Sequence, residues 1–284
     1  MKEDQPSRTA QLVALRRAAH QLLDNPKVFD DPLALSIIGQ ESALALQTGQ
    51  HQSEDPQVSL HLRAFYVARS RYAEDELALA VGRGVRQYVI LGAGLDTFAY
   101  RNPYPERALR VFEVDHPATQ AWKRARMEEA GIPLPVDLTF APVDFEAQRL
   151  ADGLQDAGYD PSQSAFFSWL GVTMYLTTEA VMTTLRFIAS APTGSGVVFD
   201  YTVSPSLLPP DQRLIFDALI KRVDWVREPW QMFFDPAELV KDLRAMGFGH
   251  VEDIGPAEIN AKYFSDRTDD LRVGSLAHVM SARV

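Results

Sequence analysis

A short apolar run from Gln87 to Leu91 leads directly into the glycine-containing turn Gly92-Ala93-Gly94. An apolar run of this length followed by a glycine turn is typical of a buried strand in a parallel sheet. Because glycine has no Cβ, the backbone N–H groups of such a turn can approach a ligand closely. The turn therefore predicts both a strand of an α/β sheet and one wall of a ligand site.

Short apolar runs and helical segments alternate along the chain after this turn. Further strands are predicted at 109–114, 138–143, 165–169 and 197–201. Helices are predicted between them at 116–130, 144–157 and 178–189. Strands that alternate with helices are joined by right-handed crossovers, which give a parallel sheet. A helix between Asp235 and Gly247 and two strands, 250–254 and 276–282, follow and are compatible with an antiparallel edge on that sheet.

The residues before the first strand have a helical pattern. Helices are predicted from their apolar periodicity at 7–24, 32–38 and 58–81. Asp31 followed by Pro32 is a typical start for the second of these helices, and Gly82 is a typical stop for the third. The polar segment 47–57 is predicted to be a surface loop.

Residues 205–234 fit neither pattern. Their prolines and aromatic side chains predict an insertion that packs over the carboxyl edge of the sheet. An ordinary helical connection with aromatic residues in the core is the alternative. The aromatic residues concerned are Trp225, Trp230, Phe233 and Phe234.

The 284 residues carry a formal net charge of -10 and contain no cysteine. An acidic chain without a run of Lys and Arg argues against a duplex nucleic-acid partner, which requires a basic patch. The absence of cysteine excludes disulfides, cysteine nucleophiles and thiolate metal sites, and no metal site is predicted. The polar start of the chain lacks the apolar segment of a signal peptide, and no apolar run is long enough to span a membrane. These features predict a cytoplasmic protein with no membrane partner.

Acidic residues follow the second and third predicted strands. Asp115 lies 23 residues after Gly92, at a spacing where a carboxylate accepts hydrogen bonds from ribose hydroxyls. Glu113 is the alternate for this role, and a helix N-cap is the alternative role of Asp115. Asp144 is placed to meet an adenine amino group, with Phe145 beside the ring, although Asp144 also precedes a predicted helix. The pattern predicts a nucleoside ligand at the carboxyl edge of the sheet.

Four sequence segments stand in a characteristic order and spacing. They are LGAGLDTFAYR at 91–101, FEVDHP at 112–117, PVDFE at 142–146 and LGVTMYLT at 170–177. As a set they resemble the leucine carboxyl methyltransferase family, which also includes polyketide O-methyltransferases. The segments SRTA at 7–10, FDDPLA at 29–34 and ARSRY at 68–72 resemble the family too. The resemblance covers roughly residues 5–200.

The resemblance implies a Rossmann-like class I methyltransferase with a seven-stranded, mostly parallel sheet that has an antiparallel edge strand. It also implies that the cofactor is S-adenosyl-L-methionine (SAM). The chain is accordingly divided as one domain. Its parts are a helical cap at 1–84, a SAM-binding core at 85–200, a lid insertion at 201–235, and a closing helix and strands at 236–284.

The resemblance also implies that Arg69 holds the methionine carboxylate of SAM, because a guanidinium binds a carboxylate through two parallel hydrogen bonds. Arg71, which has Asp75 at i+4, is the competing arginine on the same helix. Many family members have a glutamate where this chain has Leu170, so a carboxylate near the cofactor's amino group is missing. The predicted cofactor-binding residues are Arg8, Arg69, Gly92, Ala93, Gly94, Asp96, Asp115, Asp144, Phe145 and Leu170.

The predicted reaction is methyl transfer to oxygen of a small-molecule acceptor, either a carboxylate or a phenolic or polyketide hydroxyl. A carboxylate is ionised at neutral pH and needs no base, whereas a hydroxyl needs one. The candidates for such a base are His20, His61, Tyr175 and Tyr201. Two alternatives remain open: a SAM-binding protein without catalysis, suggested by Leu170, and a nicotinamide-dependent oxidoreductase, disfavoured by Thr97 at the third glycine position of the dinucleotide motif.

Overall fold

The computed structural model describes residues 7–50, 56–105, 108–145, 147–210, 212–214, 216–217, 220 and 230–284. Seven strands lie within them: β1 (Gln87–Leu91), β2 (Arg110–Asp115), β3 (Leu138–Pro142), β4 (Ala165–Trp169), β5 (Gly196–Thr202), β6 (His250–Ile254) and β7 (Ala277–Arg283). They form one sheet in the order β3-β2-β1-β4-β5-β7-β6. Strands β1 to β5 pair in parallel, and β7 pairs antiparallel with both β5 and the edge strand β6. The predicted Rossmann-like fold, with a mostly parallel sheet and antiparallel pairing at one edge, is confirmed.

Helices cover the sheet on both faces. Those whose bounds are fully described are α1 (Arg8–Leu23), α2 (Ala34–Ile37), α3 (Gln40–Gln47), α4 (Pro56–Gly82), α5 (Pro117–Glu129), α6 (Leu150–Asp156), α7 (Thr178–Ala189), α8 (Pro236–Met246) and α9 (Pro256–Tyr263). The described residues at 210, 212–214, 216–217 and 220 are helical too. Among the described residues, none of these helices has the length and apolar character needed to cross a bilayer.

Local signals in the sequence set several helix ends. The side chains of Ser7, Thr177 and Asp235 each accept a hydrogen bond from a backbone N–H in the first turn of the helix that follows. Such N-caps satisfy N–H groups that have no partner within the helix. Gly247 ends α8 with a φ of 110°, a left-handed conformation that glycine adopts without steric cost.

Two helices begin later than the sequence predicts. Before α2, the Asp31 carboxylate accepts the Leu33 N–H at 3.1 Å, and the helix starts only at Ala34. After β3, the N–H groups of two residues bond to the Asp144 carbonyl in a turn, and α6 starts at Leu150. The Asp31 side chain thus stabilises a turn before α2, as short polar side chains commonly do, whereas backbone hydrogen bonds to Asp144 form the turn before α6.

The helices α3 and α9 are absent from the sequence prediction. No residue of α3 is buried, and Ile259 is the buried residue of α9 among those described. A helix that packs so little apolar surface leaves no periodic apolar pattern in the sequence. The predicted loop at 47–57 is also too long, because α4 already begins at Pro56.

Two apolar cores lie on opposite faces of the sheet. Successive residues of a strand point to opposite faces, so Tyr88 and Ile90 of β1 enter one core, where Leu77 of α4 packs. Val89 enters the other core, which includes Leu185 of α7. The cap helix α4 therefore covers the first face, and α7 covers the second.

The aromatic residues between 205 and 234 pack beside the end of β5. The ring centroid of Phe216 lies 5.4 Å from that of Phe233 and 6.4 Å from that of Trp230. The Phe234 N–H donates to the Thr202 carbonyl at 3.0 Å, which returns the chain to the sheet. Residues 221–229, including Trp225 and Pro229, lie outside the described residues, so the predicted lid is described only at its two ends.

Removal of the N-cap of α8 tests this account of the helix ends. We expect Asp235→Ala to lower the free energy of unfolding by about 1 kcal/mol, because the Ala237 N–H, 2.9 Å from Asp235 Oδ1, loses its acceptor. Urea denaturation followed by circular dichroism measures the change. Asp235→Asn keeps a capping oxygen and is expected to stay close to the wild type. Equal losses in both variants would contradict the capping role.

Candidate functional site

The glycine turn after β1 is held by the end of β2. The N–H groups of Gly92 and Ala93 both donate to the Val114 carbonyl, at 2.8 and 3.0 Å. The Gly94 N–H donates to Asp115 Oδ2 at 2.6 Å, and the N–H of the residue after Asp115 donates to Oδ1 at 2.7 Å. The predicted turn and the predicted ribose carboxylate are thus in direct contact.

Burial raises the pKa of Asp115, while its hydrogen bonds from the Gly94 and His116 N–H groups act in the opposite direction. The carboxyl group is therefore poorly solvated for a strand-end aspartate. A poorly solvated carboxylate gains more from additional hydrogen-bond donors than an exposed one. Asp115 is suited to accept hydrogen bonds from a ligand hydroxyl.

Glycine is required at both ends of the turn. Gly92 and Gly94 have φ values of 66° and 47°, which disfavour residues with a Cβ. A Cβ at Gly92 would lie 2.3 Å from Cγ2 of Val172, and a Cβ at Gly94 would lie 3.1 Å from Cβ of Ala10. The turn is thus enclosed by the segment after β4 on one side and by the start of α1 on the other.

Arg69 lies beside the same segment after β4. Its Nη1 donates to Asp200 Oδ2 at 2.6 Å, and both side chains are buried. The Gly171 N–H donates to Asp200 Oδ1 at 2.5 Å. A Cβ at Gly171 would lie 2.7 Å from Nη2 of Arg69, so the guanidinium packs directly against this backbone. The Tyr66 ring lies 4.6 Å from the guanidinium carbon and adds a cation–π contact.

Three of the predicted contact groups therefore lie around one stretch of the sheet edge. Gly94 is bonded to Asp115, Gly92 abuts Val172, and the preceding residue, Gly171, abuts Arg69. The sheet order places β2, β1, β4 and β5 side by side, with their carboxyl ends at this edge. A ligand site at the carboxyl ends of the strands is the usual arrangement in open parallel sheets.

Asp200 is a residue of this site that the sequence analysis did not identify. It stands within the apolar strand β5 and is completely buried. A charged residue in a buried strand needs a partner, and this was the signal available in the sequence. Its partner Arg69 lies 131 positions earlier in the chain, so the pair itself was not readable from local patterns.

The remaining predicted cofactor residues are distributed around the turn and the neighbouring strand ends. Asp96 Oδ1 accepts the Phe98 N–H at 2.7 Å. Leu170 is partly buried and packs with the core on the α4 face. Arg8 is the exposed first residue of α1 and lies two positions before Ala10, the residue against Gly94. Asp96 lies two residues after Gly94. Leu170 and Arg8 each lie two residues before a residue that abuts the turn, Val172 and Ala10 respectively.

Asp144 and Phe145 follow β3, as predicted. The Asp144 N–H donates to Gln148 Oε1 at 3.0 Å. The Phe145 ring lies nearly parallel to that of Trp169 at the end of β4, with an interplanar angle of 28° and centroids 6.4 Å apart. Phe145 is half-buried and Trp169 is completely buried. The accessible part of this aromatic pair therefore belongs to Phe145, where a flat ring could pack.

Two base candidates have structural roles instead. Both ring nitrogens of His20 are engaged: Nδ1 lies 2.7 Å from Asp24 Oδ2, and Nε2 accepts N–H groups of Val28 and Phe29. The side chain is also fully buried. A histidine with both nitrogens occupied inside the cap has no free atom for an acceptor's proton, so the suggested role as a base is corrected to a structural one.

Tyr201 is also a core residue. Its hydroxyl donates to Asp253 Oδ1 at 2.8 Å, and its ring packs edge-on against Phe234. Burial, together with the nearby Asp253 carboxylate, raises the pKa of this phenol. A phenol with a raised pKa that already donates to a carboxylate is not suited to act as a base, so this suggestion is corrected too.

His61 and Tyr175 stay predictions as base candidates. Tyr175 lies in the turn after β4, where its carbonyl accepts from Gln231 Nε2 at 3.1 Å. His61 lies on α4, eight residues before Arg69, and packs against Gly274. Burial and the nearby Arg272 lower the pKa of His61, so the ring is neutral at neutral pH, the form in which histidine accepts a proton.

Comparison with known proteins identifies the family. The leucine carboxyl methyltransferase family matches residues 10–189. The chain belongs to this family. It is also 32% identical, over 99% of both chains, to a protein of Bacillus subtilis (strain 168) named as the S-adenosyl-L-methionine-dependent methyltransferase YktD. A similarly named protein of Mycolicibacterium smegmatis is 35% identical over 77% of this chain and 72% of its own.

Solved structures of low sequence identity share the fold. A methyltransferase from Thermobifida fusca superposes with a TM-score of 0.55 at 18% identity, over 96% of this chain and 94% of its own. An O-methyltransferase from Nostoc punctiforme gives a TM-score of 0.50 at 12% identity, over 95% of this chain and 72% of its own. The shared fold agrees with the family match and the sequence relatives, which confirm the family resemblance and the prediction of a methyltransferase enzyme.

The buried ion pair of this site allows a direct test. We expect Asp200→Ala to lower the free energy of unfolding by about 3–5 kcal/mol, because it leaves the Arg69 guanidinium buried without its carboxylate. Urea denaturation measures the loss. The control is Arg71→Ala on the same helix, whose pair with Asp75 is half exposed; its cost should stay below about 1 kcal/mol. Similar losses in the two variants would refute the special role of the buried pair.

Proposed function

We propose that this protein is a SAM-dependent O-methyltransferase that acts on a small molecule carrying a carboxylate or a phenolic hydroxyl. The observation that carries the proposal is the convergence at the sheet edge. Gly94 bonds to Asp115, and the segment 170–172 joins the turn to Arg69. An adenosyl ligand with an amino-acid tail needs an acceptor for its ribose hydroxyls and a cation for its carboxylate, and these groups supply both.

The residues present fit this cofactor. Asp115 accepts the ribose hydroxyls, and Asp144 and Phe145 meet the adenine beside the ring of Trp169. Arg69 binds the methionine carboxylate, because a guanidinium has five N–H donors and the bond to Asp200 uses Nη1. Arg8, at the start of α1, is a second cation on the same side of the turn.

A carboxylate lies beside Leu170, the position of the family glutamate. The Asp200 carboxylate accepts the N–H of Gly171, the residue next to Leu170. A carboxylate therefore remains within this segment, although it comes from β5 instead of the end of β4. Both oxygens of this carboxylate are already bonded, to Arg69 and to Gly171. The family match supports an enzyme over the alternative of a SAM-binding protein without catalysis.

The chemistry follows from charge. When bound, the sulfonium of SAM supplies a methyl group that is already activated for transfer to a nucleophile. The residues of the chain orient the donor and acceptor and exclude water from them. A carboxylate acceptor needs no base, whereas a phenolic acceptor needs one. The candidate is His61, whose pKa is lowered by burial and by Arg272.

Calorimetric titration tests the cofactor assignment. We expect SAM to bind and NADH to give no heat of binding. Asp115→Asn should weaken SAM binding by about tenfold or more, because one acceptor oxygen facing the ribose is replaced by an amide donor. Asp160, which lies in the loop before β4 and away from the turn, provides the control variant Asp160→Asn. The cofactor assignment fails if SAM does not bind or if NADH binds in its place.

The acceptor class is tested by turnover. Formation of S-adenosylhomocysteine is measured with aliphatic acids, benzoic acids and phenols, each between pH 5 and pH 9. With a carboxylate acceptor the rate should change little across this range, since the acceptor is ionised throughout. With a phenol the rate should fall as the pH drops, and His61→Gln should lower it further. The absence of turnover with every acceptor, despite SAM binding, would favour the non-catalytic alternative.

A further inference from the structure

Thr97 stands where a dinucleotide-binding motif has its third glycine, and its hydroxyl is fully used. The hydroxyl donates to Asp31 Oδ2 at 2.8 Å and accepts from Arg17 Nη2 at 2.9 Å and Arg101 Nε at 3.1 Å. Its exposure is 0%. A hydroxyl offers one donor and two acceptor lone pairs, and all three are engaged. The side chain at this position therefore ties the segment 92–97, which we call the cofactor turn, to groups outside it.

Asp31 is the centre of this set of contacts. Its side chain is completely buried, bonds to Arg17 Nη2, and lies 3.5 Å from Arg101 Nε. Burial raises the pKa of Asp31, but the two guanidinium groups and the Thr97 hydroxyl outweigh burial, and the pKa is lowered overall. Asp31 is therefore ionised at neutral pH and holds both arginines around Thr97.

The same contacts continue to the helix that carries Arg69. Arg101 forms two hydrogen bonds with Glu74, at 3.0 and 2.5 Å. Glu74 lies on α4, five residues after Arg69. Arg17 lies on α1, the helix whose Ala10 abuts Gly94 in the turn.

We name the five side chains Arg17, Asp31, Glu74, Thr97 and Arg101 the Asp31 network. It joins three parts of the molecule: α1, the cofactor turn and α4. Each part contributes to the proposed cofactor site: α1 through its first residues, the turn through its bond to Asp115, and α4 through Arg69. A displacement of a few tenths of an ångström between these parts alters hydrogen bonds to a ligand that spans them.

We propose that the Asp31 network positions the cofactor site, so that Thr97 and Asp31 are positioning residues for SAM. The inference rests on the proposed function. It also accounts for the FDDP and TFAYR segments, to which the direct cofactor contacts assign no role. Thr97, which replaces the third glycine of the dinucleotide pattern, thus fixes the cap helices relative to the turn.

Two substitutions at Thr97 separate positioning from simple packing. Thr97→Val keeps the shape but removes the hydroxyl, and Thr97→Ser keeps the hydroxyl but removes a methyl group. We expect Thr97→Val to raise the Kd for SAM by about tenfold, because a buried hydrogen bond to charged groups is lost. Thr97→Ser should stay within about twofold of the wild type. Calorimetric titration gives the Kd, and thermal unfolding shows that each variant is folded.

A second buried aspartate of the cap provides the control. Asp24 pairs with Arg63 at 2.8 and 2.9 Å and with His20, and so joins α1 to α4 without touching the cofactor turn. Asp24→Asn should lower the melting temperature but leave the Kd for SAM of the folded protein unchanged. The inference is overturned if Thr97→Val binds SAM as tightly as the wild type, or if Asp24→Asn weakens SAM binding equally.

Hydrogen exchange in the wild type tests the inference without a variant. Addition of SAM should slow amide exchange in the turn at 92–97 and, together with it, in α1 and in α4 around Glu74. Protection confined to the turn would contradict the positioning role. If the wild type does not bind SAM at all, the proposed function is wrong, and the inference about the Asp31 network is wrong with it. If the wild type binds SAM and the Thr97 variants do not differ from it, the network inference alone is wrong.

Discussion

The buried ion pair of Arg69 and Asp200 is the constraint on which the rest of the site depends. Two charges removed from water are stable only when each has its partner in good geometry. The carboxylate satisfies this by bonding to Arg69 on one oxygen and to the Gly171 N–H on the other. One pair thus fixes helix α4, the end of β5 and the segment after β4 relative to one another.

The position of α4 determines what surrounds the glycine turn. The helix packs in the core that includes Tyr88 and Ile90 of β1. It also carries Arg69, which bonds to Asp200 beside the segment after β4, and Glu74, which bonds to Arg101. Apolar packing attaches the cap to the sheet, and these charged residues connect it to the segments at the carboxyl edge. The proposed site lies where these charged contacts meet.

Features that depend on neighbouring residues were predictable from the sequence. The strand β1, the turn behind it and Asp115 at the end of the adjacent strand follow from an apolar run, two glycines and a fixed spacing. Features that depend on distant partners were not predictable in the same way. The Asp200 partner of Arg69 is one example. The roles of His20 and Tyr201 are others, because a histidine or tyrosine becomes a base or a core residue according to its tertiary contacts. The helices α3 and α9 escaped prediction because they bury too little apolar surface to impose a period.

The placement of β7 between β5 and β6 has a consequence for how the sheet is assembled. β6 precedes β7 in the chain, yet it pairs with no other described strand. Its backbone N–H and C=O groups therefore have no ladder to join until β7 has added to β5. During synthesis β6 therefore remains unpaired until the 22 intervening residues, 255–276, and then β7 have been made. The parallel strands can form a nucleus beforehand, so the edge of the sheet is completed in the reverse of its chain order.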